Sequence, residues 1–467
     1  MITKEEIEAK SEEFDIHYAN VERDYVFGWI LCGIYTVSPL KDILILKGGN
    51  AFRKAYFTFT RYSNDLDFST ETAVDQVLLR SELDKVCDFA QQMSGVLFEK
   101  EKMRVEEKPS ADTDSRSYQA RLYFKDFYGN PDTIVISIKL DIKEFDRLYL
   151  PTQTRQLIHP YSDANLCVAG LRCMKLEEML ASKLKCLLQR RHSYDLYDYV
   201  YAIFINNELA VDRTEIASTF LKKTIFERSP GVARNLLLGL PVQIFKAAWE
   251  KYIVCPRQSI IGFDSALERF SASVRELFAE VINPRVEQLF YPAPMRNLIL
   301  EAGSGMRLMS VTYDGIARIV EPYSLVYKRR KDGHGEEYFY VWDRTGGRQS
   351  GVGLKTFLNS RIQDIRVLDE KFEPQFGVEL AKAGEPAGTG YFSRPGFGGS
   401  RTRAARSSAS RTTRKPRSGM IYILECGYCG KRFQRSEYTT QLNEHKDKSG
   451  SKCFGRFGMI VDQRYSW

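Results

Sequence analysis

A glycine pair followed by two closely spaced aspartates constrains this 467-residue chain more than any other feature. Residues 43–46 predict a buried strand, Gly48 and Gly49 predict a turn, and a helix of about two or three turns follows. A second strand then carries Asp65 and Asp67. Because side chains alternate along a strand, both carboxylates are predicted to face the same side of the sheet.

Two acids on one face of a strand repel each other unless a cation lies between them. The intervening Leu66 and Phe68 are predicted to face the core. A hard divalent cation, Mg²⁺ or Mn²⁺, suits paired carboxylates, and a glycine turn leaves backbone N–H groups free to bind phosphates at a helix start. The stretch therefore predicts a site for a metal-bound nucleotide. The alternative is a solvated edge strand beside an ordinary turn.

The sequence of this stretch, KGGNAFR followed by RYSNDLDF, resembles the AbiEii/AbiGii toxin family of the polymerase-beta-like nucleotidyltransferases. Asn50 stands where that family usually has threonine, and its side chain can still donate a hydrogen bond. The resemblance implies an α+β nucleotidyltransferase fold in which Asp65 and Asp67 hold Mg²⁺. It also implies a set of nucleotide-binding residues, namely Gly48, Gly49, Arg61 and Ser63.

A third acid lies on a later predicted strand. Residues 133–145 alternate between apolar and polar side chains, which predicts a half-buried strand with Asp141 on its polar face. In the nucleotidyltransferase fold a third acid lies on a neighbouring strand beside the first pair, and Asp141 occupies the matching place. The resemblance implies that Asp141 is a further catalytic metal ligand. An ordinary surface aspartate among lysines is the alternative.

A buried lysine is predicted on the helix that follows. Residues 171–191 predict an amphipathic helix, and Lys183 falls on its leucine-rich flank, where a triphosphate or the acidic pair would offset the cost of an unpaired ammonium. Asp195 and Asp198 share one face of the next helix. The segment resembles the same toxin family, although Tyr194 stands where arginine is usual. The resemblance implies that Lys183 neutralises phosphate charge and that the two acids orient it or hold the nucleotide. A salt-bridged helix pair is the alternative.

The second half of the chain changes character. Residues 202–287 predict packing helices that complete the catalytic lobe, whereas residues 291–375 contain short strands broken by turns, typical of a small twisted barrel or sheet. The latter segment has a Tyr-Asp-Gly turn at 313–315, then Arg318-x-x-Glu321-Pro322, an aromatic strand at 338–343 and Phe372-x-Pro374. In this order it resembles a WYL domain, an SH3-like barrel expected to bind ligands including nucleic acid. That resemblance implies that Arg318 and Arg361 line a ligand groove. Surface arginines on strands are the alternative.

The C-terminal region predicts a tether and a metal site. Residues 377–419 are poor in apolar side chains and predict a disordered linker, and residues 386–424 contain eight Lys or Arg and no acid, which equals the whole formal charge of +8. The tail carries four soft ligands at zinc-finger spacing, Cys426, Cys429, His445 and Cys453. Four protein ligands predict a structural Zn²⁺, with Phe433, Leu442 and Phe457 as its small core. Reduced cysteines without metal are the alternative.

The length and composition predict several domains, with boundaries at 1–287, 288–376, 377–419 and 420–467. No apolar run approaches the roughly 20 residues of a membrane span, and the N-terminus is charged, so no membrane association or signal peptide is expected. The other six cysteines are scattered in apolar contexts, which predicts free thiols in the reducing cytoplasm.

The family resemblance implies transfer of a nucleoside monophosphate from an NTP to an RNA acceptor, such as the 3′ end of a tRNA, in a toxin or phage-defence effector with a cognate antitoxin. Two alternatives remain open from the residues. One is a ligand-sensing, nucleic-acid-binding regulator with an idle transferase lobe, and the other is a transferase that modifies a protein.

Overall fold

The computed structural model describes most of the chain. The described residues are 2–108, 116–128, 135–190, 192–206, 209–279, 290–329, 335–347, 350–380, 419–426, 431–435, 442, 445–446, 452–453 and 458–466. Most of the predicted linker, residues 381–418, therefore lies outside them. Within them the molecule has a mixed α/β part, a β-rich part with its own core, and a small β-structured tail.

One mixed sheet organises the first part. Its strands are β1 (Ile45–Lys47), β2 (Asp65–Ser69), β3 (Arg104–Glu107), β4 (Ser117–Lys125), β5 (Val135–Lys143), β6 (Gln153–Gln156) and β7 (Gly170–Cys173). Their order across the sheet is β3-β4-β5-β2-β1-β7-β6. β1 and β2 are antiparallel, whereas β2 and β5 are parallel, with Asp67 directly opposite Asp141. Residues that pair directly point to the same face, so the sheet gathers the predicted acids on one side.

Helices pack on this sheet and on one another. They are α1 (Lys4–Phe14), α2 (Tyr18–Thr36), α3 (Gly48–Ala51), α4 (Gln76–Ser94), α5 (Leu176–Gln189), α6 (Ser193–Val200), α7 (Arg213–Lys223), α8 (Pro230–Leu238), α9 (Val242–Tyr252) and α10 (Phe263–Leu277). α2 is almost wholly buried, including its polar residues Asn20, Glu22 and Asp24. α3 continues as a π-helical turn over Phe52–Tyr56, and together they form the helix predicted after the glycines.

The predicted helix over residues 171–191 is wrong at its start. Residues 170–173 form β7, which pairs with β6 and places Cys173 opposite Leu46 of β1. Tertiary pairing with two neighbours satisfies these backbone groups and overrides the local helical pattern. The helix proper, α5, begins at Leu176. Its core leucines are buried as predicted, as are Leu66 and Phe68 of β2.

The β-rich part begins with a helix that the sequence pattern did not predict, α11 (Ala293–Ser304). An antiparallel sheet of five strands follows, composed of β8 (Arg307–Tyr313), β9 (Ile316–Arg329), β10 (Gly335–Asp343), β11 (Gly353–Leu358) and β12 (Ile362–Lys371), in the order β11-β10-β9-β8-β12. A separate β-rich unit is thus present, and its WYL-like, SH3-like character stays a prediction.

The tail contains two small sheets. Their strands are β13 (Gly419–Cys426), β14 (Arg432–Arg435), β15 (His445–Lys446), β16 (Lys452–Cys453) and β17 (Gly458–Ser466). Phe433 and Leu442 pack in the small core as predicted, whereas Phe457 lies outside the described residues. Arg104 of β3 donates to Glu425 of β13 at 3.1 Å, which ties the tail to the edge of the first sheet.

Across the part of the chain that the structure describes, none of the helices combines the length and apolarity that crossing a bilayer requires.

Candidate active site

The glycine turn brings the backbone close to the acids. Gly48 has a φ of +74°, and a side chain there would collide with the Asp67 carboxylate. A side chain on Gly49 would lie 2.7 Å from both Arg61 Nη2 and Ser63 Oγ. Both positions therefore require glycine for close approach, and Gly48 requires it for its backbone conformation as well. Asn50 donates from Nδ2 to the backbone oxygen of Asp65 at 2.6 Å, so it holds the first acid-bearing strand against the turn.

Three carboxylates meet beside this turn. One oxygen from each of Asp65, Asp67 and Asp141 can be chosen so that all three lie within 4.8 Å of one another. Burial and then the charges of Asp65 and Asp141 raise the pKa of Asp67 to about 6. Burial opposes ionisation of Asp141 as well, but Lys139, 2.9 Å away, contributes to holding its pKa below the usual value. A raised pKa in a cluster of acids marks excess negative charge, which a hard divalent cation would neutralise.

A cavity of about 390 Å³ opens next to the acids. Asp67 and Asp141 line it from the sheet, and α5 lines it with Lys183 and Gln189. The opposite wall belongs to the β-rich part, since residues 324–326 of β9 also line the cavity. Gln189 donates to the Leu325 backbone oxygen at 2.8 Å, which fixes that wall against the end of α5. The volume suits a nucleotide-sized ligand.

The cavity is cationic. Its lining contains more basic than acidic side chains, seven compared with four. The basic residues are Lys47, Lys108, Lys143, Lys183, Lys185, Arg190 and Lys223. Several of these are paired, for example Lys47 with Asp146 at 2.6 Å. The ammonium groups of Lys143 and Lys185 have no ion-pair partner within the described residues. Burial and then the charges of Lys143 and Lys223 lower the pKa of Lys185 to about 8. Such a wall favours a polyanionic ligand.

Lys183 lies in a buried ion network behind this wall. Its ammonium is 2.9 Å from Asp195 Oδ1 and 2.7 Å from Asp198 Oδ2. Arg61 forms a two-pronged pair with Asp198, with both N···O distances 2.7 Å, and Arg190 does the same with Asp195 at 2.8 and 2.9 Å. Burial alone would raise the pKa of both carboxyls, but these cations hold them below their usual value. Both acids therefore form ion pairs with Lys183, and their role toward a nucleotide stays a prediction.

The predicted nucleotide contacts separate into two groups. Gly48 and Lys183 line the cavity together with Asp67 and Asp141. The others contact protein groups behind its wall, and these are Gly49, Arg61, Ser63, Asp195 and Asp198. Tyr194, where the toxin family usually has arginine, places its ring 4.4 Å from the Arg61 guanidinium and so supports the network. Direct contact of this second group with a nucleotide stays a prediction.

Sequence reasoning missed several cavity residues. Asp146 accepts hydrogen bonds from Lys47 Nζ and Ser69 Oγ, both at 2.6 Å. Burial raises the pKa of Asp146, but the charges of Lys47 and Lys143 lower it more, so the pKa lies well below its usual value. Lys185 and Lys223 come from different helices and meet only in the fold. Lys143 could have been found, because it shares the polar face of β5 with Asp141.

The two arginines of the β-rich part meet at one aromatic ring. Arg318 is buried and pairs with Asp343 at 2.6 Å, while the more exposed Arg361 pairs with Asp314. Their guanidinium carbons lie 5.7 and 5.1 Å from the centre of the Tyr313 ring. The charge of Arg318 is thus compensated inside the domain. A ligand groove lined by these arginines stays a prediction.

The tail brings three of the four predicted zinc ligands together. Ligand atoms of Cys426, His445 and Cys453 lie within 4.8 Å of one another, and the two sulfurs are 3.8 Å apart. Two thiolates bound tetrahedrally to zinc at ~2.3 Å are separated by about that distance. Cys429 lies outside the described residues. The three placed ligands fit a zinc site.

A strand, a glycine turn, a helix and a D-x-D strand beside a third aspartate define a nucleotidyltransferase-like site. Residues 29–280 match the family model described as nucleotidyl transferase AbiEii toxin of type IV toxin–antitoxin systems. The chain belongs to this AbiEii family and is a nucleotidyltransferase.

Among solved structures, the chain is similar to MenT4, a nucleotidyltransferase toxin from Mycobacterium tuberculosis H37Rv. The two are 18% identical with a TM-score of 0.35, over 60% of this chain and 89% of that one. No curated protein matches the sequence.

Proposed function

We propose that this protein transfers a nucleoside monophosphate from an NTP to an RNA acceptor, the 3′ end of a tRNA, as a toxin held in check by a cognate antitoxin. The observation that carries the proposal is the triad of Asp65, Asp67 and Asp141 beside a cationic cavity. Excess negative charge next to excess positive charge suits a ligand that brings both a divalent cation and a polyphosphate.

In this proposal the acceptor hydroxyl attacks the α-phosphorus, the bond to the β-phosphate breaks, and pyrophosphate leaves. A bound Mg²⁺ or Mn²⁺ would polarise the phosphate oxygens and acidify the hydroxyl. Asp65, Asp67 and Asp141 would hold it, since they are the described carboxylates whose repulsion it relieves. The backbone of Gly48 would approach the phosphates, and two lysines of the cavity wall, Lys183 and Lys185, would neutralise them.

Labelled NTPs test this function. The full-length protein is incubated with each of the four α-³²P-labelled NTPs and a tRNA pool, and Asp67→Asn serves as the matched variant. We expect label in RNA with the wild type and none with Asp67→Asn. Label in a protein band would favour the protein-modifying alternative, and no transfer under any condition would favour an idle transferase lobe.

We also propose that Cys426, Cys429, His445 and Cys453 bind one structural zinc ion. The 3.8 Å separation of the Cys426 and Cys453 sulfurs supports this assignment. Elemental analysis should find one zinc per chain, and Cys426→Ser should lose it while transfer to a short acceptor persists. Protein that is active and folded throughout but contains no zinc would refute the site.

The basic linker is proposed as an RNA tether, because the rest of the chain is near charge balance. Deletion of residues 377–467 should weaken tRNA binding and flatten its dependence on salt, since fewer counterions are released, while NTP binding is unchanged. Identical salt slopes for the two proteins would show that the tail does not bind RNA.

A further inference from the structure

An exposed phenylalanine lies in the chain between two residues of the cavity wall and has an unfavourable backbone conformation. Phe145 has a φ of +50°, and 61% of its surface is exposed. It follows β5 directly, between Lys143 and Asp146, both of which line the cavity. The ring is therefore presented to solvent within a few residues of Asp141.

Folding does not account for this side chain. Glycine or asparagine adopts a left-handed backbone at this kind of turn with little steric penalty, whereas a bulky side chain is disfavoured there. A phenylalanine is usually retained because its ring is buried, but Phe145 ranks among the most exposed large apolar residues of the described chain. Strained backbone at a bulky, unburied residue points to a role outside the core.

The neighbours of Phe145 hold it firmly in this position. The Glu144 carboxylate accepts a hydrogen bond from the Val74 backbone N–H at 2.6 Å. On the other side, the Asp146 backbone N–H donates to the Thr70 backbone oxygen at 3.1 Å. With both flanking residues tied to the segment after β2, the ring is displayed on a rigid base and not on a loose loop.

The surroundings of the ring are basic and aromatic. Lys143 precedes it with an ammonium group that has no ion-pair partner within the described residues, and Arg147 follows it with an exposed side chain. The Arg147 guanidinium lies 4.9 Å from the centre of the Tyr149 ring. Alternating cations and aromatic rings are the composition of surfaces that bind single-stranded nucleic acid, because bases stack on the rings while the cations contact phosphates.

We propose that Phe145 is the stacking platform for the terminal base of the acceptor RNA, and that Lys143 and Arg147 contact the adjacent phosphates. The inference rests on the proposed RNA acceptor and adds the residue that receives it. A base on Phe145 would place the 3′ hydroxyl at the mouth of the cavity that contains Asp141. The NTP, which binds inside the cavity, makes no use of this ring.

The test uses a short fluorescent single-stranded RNA with a free 3′ hydroxyl, and its binding to full-length protein is followed by anisotropy without NTP. We expect Phe145→Ala to weaken binding about 5- to 150-fold, the range of one base–aromatic stack. Phe145→Trp should retain wild-type affinity. Phe145→Gly should bind as weakly as Phe145→Ala while unfolding at an equal or higher temperature, because glycine relieves the backbone strain.

Leu97→Ala is the matched control, since Leu97 is 51% exposed and does not line the cavity. It should leave RNA affinity unchanged, and the KM for NTP should be the same in all these variants. The inference about Phe145 would be overturned alone if the wild type binds and labels RNA and both Phe145→Ala and Phe145→Gly bind RNA with unchanged affinity. Wild-type protein that neither binds nor labels any RNA would overturn the proposed acceptor and the inference with it.

Discussion

Two clusters of charge border one cavity, a half-buried acid triad and a buried ion network, and they differ in how far their charges are balanced. In the acid triad three carboxylates converge, and the pKa of Asp67 rises to about 6. The ion network pairs each cation with an aspartate. Asp198 contacts Arg61 and Lys183, and Asp195 contacts Lys183 and Arg190.

The difference indicates what each cluster does. A compensated network is complete without a ligand, so it holds α5, α6 and the strand after the glycine turn in place. The acid triad is compensated only in part, by Lys139 beside Asp141, so it gains free energy when a further cation binds. We therefore expect triad variants to lose activity without losing stability, and network variants to lose stability first.

The largest expected effect concerns the triad. Asp67→Asn should lower label transfer at least ~1,000-fold, because a metal ligand contributes several kcal/mol to transition-state stabilisation. Its melting temperature should be equal to or above that of the wild type, since one repelling charge is removed. Initial rates and differential scanning calorimetry measure the two quantities. If Asp67→Asn is inactive only because it is unfolded, the claim that triad variants lose activity without losing stability is wrong.

The network should respond in the opposite way. Asp198→Asn leaves the buried Arg61 and Lys183 without a full counter-charge, and removal of one partner from a buried pair costs roughly 3–5 kcal/mol of unfolding free energy. Urea denaturation followed by circular dichroism measures this loss. A stability change within ~0.5 kcal/mol would mean that the network is not a structural unit.

Lys183 belongs to both clusters, because it pairs with the network and also lines the cavity. Lys183→Met removes the charge but leaves each acid one arginine. We expect a smaller stability loss than in Asp198→Asn, about 1–3 kcal/mol, together with a raised KM for NTP. An unchanged KM would assign Lys183 to the network alone.

The smallest expected effect depends on pH. The pKa of Lys185 in the free protein is about 8, and a bound triphosphate favours the protonated form and so raises that pKa. NTP affinity should therefore fall as pH rises through ~8, by no more than about tenfold per unit. Titration calorimetry with a non-hydrolysable NTP should show this decline in the wild type and not in Lys185→Met. The same decline in both would attribute it to another group.

Local features of the site could be predicted from the sequence. Strand alternation places Asp65 and Asp67 together, and helical spacing places Asp195 beside Asp198. The partnership of Asp141 with Asp67 depends on the β2–β5 register, which only the family resemblance supplied.

Contacts between distant segments could not be predicted. The pairing of Lys47 with Asp146 joins residues about one hundred positions apart, and the wall formed by β9 depends on how two domains pack. Residues 171–173 were predicted as helix because local pattern carries no information on the two strands that pair with them.

Mn²⁺ binding tests the central claim most directly. The loss of the free Mn²⁺ electron paramagnetic resonance signal is followed as wild type, Asp67→Asn and Lys183→Met are titrated in the presence of a non-hydrolysable NTP. We predict tight binding by the wild type, binding by Lys183→Met at higher NTP concentration, and a loss of tight binding in Asp67→Asn. Equal Mn²⁺ affinity in Asp67→Asn and wild type would contradict the assignment of the acid triad as the metal site.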